Sequence, residues 1–146
     1  MTTIFQSMPN IAPTAVNAYN PPVVLTTVTG TSVGNGATTL VTSPTLPPGT
    51  YLVGGNVSIS STTTFGNTDT LSMRIRDGAG SLTVYPQSIL TGYSQIGSSP
   101  AAVATTPSGV IVLATSGTLI WDVNCAFGTS TGKTAGVGNP FYQRIA

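Results

Sequence analysis

The chain has 146 residues, enough for one domain with a substantial core and too few for two ordinary ones. Only 5% of them are charged, histidine and glutamate are absent, and the net charge is +1. Nucleic-acid binding therefore lacks its basic footprint, because Arg74, Arg76, Lys133 and Arg144 are scattered along the sequence. So little charge does not keep small domains apart in solution, which implies a subunit whose surface is covered by partners.

Cys125 is the only cysteine, so an internal disulfide and a cysteine-rich metal site are both excluded; its alternating apolar neighbours make it a small buried hydrophobe. There is no run of about 18 apolar residues and no basic segment leading into an apolar one, so neither a membrane span nor a signal peptide is expected. Synthesis in the cytosol follows from that reading.

Residues 1–22 stand apart. Single apolar residues are spaced among Thr, Ser, Asn and four prolines without a period, which predicts an extended arm that orders against a partner; Ile4, Phe5, Met8 and Ile11 are its expected anchors. From Val23 to Ala146 strand signals recur with turns between them. Val23–Thr29 and Thr38–Ser43, joined through Gly34-Asn35-Gly36, read as a hairpin. The chain is organised around Pro47–Ser60: the prolines and Gly49 make a turn, and Tyr51, Val53, Val57 and Ile59 then fall on one face of a long strand. Gly54-Gly55 in its middle marks a bulge or a close approach by another backbone.

Thr62–Asn67 reads as a polar loop. Thr70–Arg76 alternates, with Leu71, Met73 and Ile75 inward, before a turn at Asp77-Gly78. Leu82–Tyr85 and Ser88–Ile96 are strands broken at Pro86, and Pro100–Pro107 is a weak one. Gly109–Thr115 and Gly117–Phe127 form the strongest pair, two central strands around a tight Ser116-Gly117 turn; Leu119, Trp121, Val123, Cys125 and Phe127 share a face. Gly128–Asn139 reads as a loop and Phe141–Ala146 as the closing strand. About eight short strands and no helix predict an all-β fold, a Greek-key β-sandwich or jelly roll, over residues 23–146.

No catalytic constellation emerges. Phe127–Thr134, FGTSTGKT, is similar to a phosphate-binding loop, but Gly128 is one residue too close to Gly132 and no helix follows, which leaves Lys133 a solvated loop residue. Acid–base chemistry would rest on Asp69, Asp77 and Asp122 alone; a capping role explains Asp77 and an outward position explains Asp122. Neither an enzyme nor a cofactor is expected.

Pro48-Gly49-Thr50-Tyr51-Leu52-Val53 resembles the turn and strand of the C1q and tumour-necrosis-factor-like jelly rolls. Together with the low charge and the closing Phe141-Tyr142-Gln143-Arg144-Ile145-Ala146 strand, the chain is similar to small trimeric jelly-roll proteins of tailed bacteriophages. That resemblance implies a homotrimeric decoration, or cement, protein on the outer surface of the virion, binding and fastening the major capsid protein, with no nucleic-acid or membrane partner. The arm would carry the capsid contacts and Tyr142 would lie near the threefold axis. The alternative use in such phages is the receptor- or carbohydrate-binding head of a tail fibre, for which Tyr85, Tyr93 and Trp121 are the aromatic candidates. A chain opening with Met1 and a short arm favours the first.

Overall fold

In the computed structural model, residues 20–63, 65–66, 68–79, 88–94, 102–106, 108–129 and 131–146 are described. They form ten strands and no helix: β1 Val23–Val24, β2 Val28–Ser32, β3 Gly36–Thr42, β4 Gly49–Ser61, β5 Thr70–Asp77, β6 Ser88–Ser94, β7 Ala102–Thr105, β8 Ser108–Leu113, β9 Leu119–Ala126 and β10 Lys133–Arg144. All pairings are antiparallel. One sheet runs β1-β10-β4-β7, with β2 also along β10 and β8 also along β4; the other runs β3-β9-β5-β6.

Alternation is what builds both layers. Successive side chains of a strand point to opposite faces, so an apolar residue at every second position gives a strand one face to bury. On β4 these are Tyr51, Val53, Val57 and Ile59, on β5 Leu71, Met73 and Ile75, and on β9 Leu119, Trp121, Val123 and Cys125; all are buried in a single core with Ile111, Ala135 and Val137. Each large side chain moved from water into such a core contributes about 1.5–3 kcal/mol.

The two expected hairpins are not hairpins. β2 pairs with β10 while β3 pairs with β9, and β8 pairs with β4 while β9 pairs with β3 and β5, so both turns carry the chain from one sheet to the other. Turn residues dictate a reversal of direction; they do not dictate that the returning strand stays in the same sheet. Asn35, in the first turn, instead closes β9: its amide nitrogen donates to Phe127 O at 3.2 Å and its carbonyl accepts from Phe127 N at 2.5 Å.

Three further expectations are corrected. β8 is not a central strand: Ile111 and Leu113 enter the core, but Val110 and Val112 point to solvent. Gly128–Asn139 is a loop only in its first part, because β10 begins at Lys133 and stays paired with β4 as far as Arg144. There Lys133, Ala135 and Val137 face inward while Thr134, Gly136 and Gly138 supply a small outer face, which reads as a loop by composition. The loop after β4 is not uniformly polar, since Phe65 is fully buried in it.

A seam crosses the first sheet at mid-length. β10 carries a bulge at Asn139-Pro140 (Asn139 φ 48°), β1 and β2 are interrupted at 25–27, and β7 and β8 are interrupted opposite Gly55-Asn56. The interrupted edge is tied back where Leu25 N donates to Pro140 O at 2.7 Å. The glycine pair serves this seam. A Cβ on Gly54 would stand 2.5 Å from Phe141 Cε1, so only glycine lets that ring lie across β4 on the outer face. On the inner side Trp121 Nε1 donates to Gly54 O at 3.0 Å, which satisfies the one polar atom of the buried indole.

Candidate interaction surface

The four basic and three acidic side chains all fall within the described residues, and only Arg144 among them is exposed. Arg74 and Arg76 lie two apart on the outward face of β5, and the register places Arg74 opposite Asp122 on β9. Arg74 Nε and Nη2 donate to the two Asp122 carboxylate oxygens at 2.6 and 2.8 Å, and Arg76 Nε donates to Oδ2 at 2.7 Å. Asp122 is outward-facing, as its position in the alternation requires, yet it is fully buried beneath the two guanidinium groups.

Lys133 is the opposite of a solvated loop lysine. It is buried beneath the Phe65 and Phe127 rings, with Nζ 4.9 and 5.2 Å from their centroids and 4.0 Å from Asp69 Oδ2. Asp69 in turn accepts backbone N–H bonds from Gly66 at 2.9 Å and Gly128 at 3.0 Å. The segment that resembles a phosphate loop is therefore already occupied: its lysine faces a carboxylate inside the protein, and its first glycine amide donates to that same carboxylate. Asp69, Asp77 and Asp122 are not brought together, since Asp69 precedes β5, Asp77 ends it and Asp122 sits on β9.

With charge drawn inward, the outer face of the first sheet is neutral. Toward the end where β10 finishes it is apolar: Val24 is 61% exposed, Val110 38% and Val112 47%, with Leu52 and Phe141 half-buried between them and Ile145 51% exposed at the margin. Cross-strand neighbours Leu52–Val110 and Phe141–Val24 make these one band running from β1 to β8. Beyond the seam the same face carries Asn56, Ser58, Ser60, Thr106 and Thr134, small and polar. Val110 to Leu113 could have signalled the apolar half, had β8 been read as an edge strand with two faces.

The expected contact residues divide as follows. Ile4, Phe5, Met8 and Ile11 lie outside the described residues, as does Tyr85, and nothing is described of the Tyr93 side chain. Tyr142 is half-buried opposite Val53, its ring edge-on to Tyr51 at 6.3 Å between centroids, so part of it packs on the core and the rest borders a cavity of about 220 Å³ with Pro21, Val23 and Pro47. Trp121 is core and cannot stack on a ligand.

No family model matches the chain, and no curated protein matches it.

Cys125 offers no nucleophile at ordinary pH. Burial pushes its thiol up to about 11, so the reactive thiolate is scarce and the sulfur inaccessible. Native protein at pH 8 should leave a disulfide reagent such as dithionitrobenzoate unreacted until denaturant is added. Because the folded-state value is the higher one, the thiol's contribution to stability is complete below the unfolded cysteine value of about 8.5 and is lost as pH climbs toward 11. Rapid native-state labelling at pH 8 would contradict this placement.

Proposed function

We propose that the chain is a structural subunit of a virion, a homotrimeric jelly roll that decorates the outside of a capsid and fastens neighbouring capsid subunits. The observation that carries this reading is the neutral outer face of the first sheet with its band of exposed valines: a single copy in water would leave that band uncovered, and the one exposed charged side chain, Arg144, stands only at its margin beside Ile145. A second copy on the apolar half is the covering surface, and residues 1–22 are the extension that reaches the major capsid protein.

Strand order supports the jelly roll. With β1 and β2 taken as one interrupted strand, and β7 and β8 as another, the first strand pairs with the eighth, the second with the seventh, the third with the sixth and the fourth with the fifth. That is one long antiparallel hairpin wrapped around a common core, the arrangement that places two Greek keys back to back. Such a subunit binds the assembled lattice better than free capsid protein, and so adds its contact energy to the lattice's own cohesion. Apolar and backbone contacts would dominate, which makes attachment insensitive to salt.

The test is mass in solution followed by copy number. Light scattering should give three copies of 14.7 kDa, about 44 kDa, and Val110→Asp with Val112→Asp should reduce this to a single copy without loss of β-sheet signal. In purified virions the chain should approach the abundance of the capsid protein. A stable monomer, or only a few tens of copies per particle, would overturn the decoration reading.

A further inference from the structure

Where the seam crosses the outer face of the first sheet there is a groove of about 340 Å³, lined by Gly55, Asn56, Thr106, Ser108, Asn139 and Phe141. We propose that it is a binding site for a neutral sugar residue. Its floor is backbone, because Gly55 and Gly138 carry no side chain and β4 and β10 are paired on either side of the bulge. The groove is therefore formed before any ligand arrives, and little ordering opposes binding.

The lining matches what a sugar presents. One wall is the half-buried Phe141 ring, held in place across Gly54, an apolar surface for the C–H face of a pyranose. The rest of the lining includes Asn56, Thr106, Ser108 and Asn139, residues with amide or hydroxyl side chains. Amides and hydroxyls both donate and accept, which suits ligand hydroxyls that do the same. All four side chains belong to exposed residues, and none of them is engaged by another described residue through its polar atoms. None of the groove residues is charged, so an acidic sugar or a phosphate would find nothing to offset its charge. The edge strand beside it is broken between β7 and β8 at this point, so an extended peptide has no continuous ladder to join.

Phe141 is common to the groove and the apolar band, where it stands opposite Val24, so the site borders the surface that a second copy would cover.

Saturation-transfer NMR on the full chain, with glucose, galactose, mannose and N-acetylglucosamine at millimolar concentration, and a neutral glycan array are the probes. At least one of these sugars should receive saturation on its ring protons. Gly138→Val should weaken binding about tenfold or more, because a Cβ there meets only Asn56 at 3.9 Å and so fills the groove without disturbing the fold. Asn56→Ala should weaken it several-fold while leaving the thermal unfolding midpoint in place. No transfer to any of the sugars and no array signal, binding confined to acidic glycans, or binding unchanged in both variants would each overturn the assignment.

Discussion

Asp122→Ala should cost the fold about 3–5 kcal/mol, a large share of the roughly 5–15 kcal/mol that holds an ordinary domain together. The carboxylate is fully buried and is the shared acceptor of Arg74 and Arg76. Deleting it leaves two guanidinium groups, each more than four-fifths covered, with no counter-charge between β5 and β9. The penalty comes from the cations left behind more than from the attraction lost. For that reason a variant that also carries Arg74→Met and Arg76→Met should recover most of the stability, since replacing a whole buried ionic group with apolar side chains is often close to neutral. Urea unfolding of both variants measures this. If Asp122→Ala is as stable as the parent, or the triple variant is less stable than the single one, the ionic group does not act as a unit.

Phe65→Ala is expected to be of similar size, about 3–5 kcal/mol, although the residue lies in a loop. Its ring is fully buried, packs at 6.3 Å from the Phe127 ring and covers Lys133. Truncation would open a cavity and also admit water to a buried ammonium. Lys133→Met should cost distinctly less, because the methionine keeps most of the volume and Asp69 retains the amide donors of Gly66 and Gly128. Equal losses in the two variants would mean that the ion pair, not the aromatic packing, closes this end of the core. If Phe65→Ala were neutral, the loop would not belong to the folding unit.

Tyr51, Leu71, Met73, Trp121 and Val123 were legible as core because each obeys a period of two, and that period belongs to the strand and needs no partner. Phe65 was not legible, since a single aromatic among threonines and glycines has no period to join. Lys133 misled for a related reason: glycine, serine and threonine around a lysine signal a loop by composition, yet small residues on alternate positions are also what the outer face of β10 requires. Alternation puts Arg74, Arg76 and Asp122 each on an outward face, but it carries no information that β5 and β9 are neighbours in register. The seam groove lies further still from local signals, because its residues come from β4, β8, β10 and the β7–β8 break.

The sequence by itself determined the strand class, the inward face of most strands, the position of β4 and the scarcity of charge. All of these follow from side-chain alternation, turn chemistry and composition, which act over a few residues. Tertiary structure alone decided which sheet each strand joined, that the carboxylate of Asp122 would gather two arginines, that a lysine would be buried, and that one half of a sheet face would be apolar. Those outcomes depend on pairings between residues far apart in the chain, such as Lys133 with Ser61, 72 positions away, and Val23 with Tyr142, 119 positions away. Local preference is nearly neutral among such pairings, and the choice is made by the one arrangement that closes a single core.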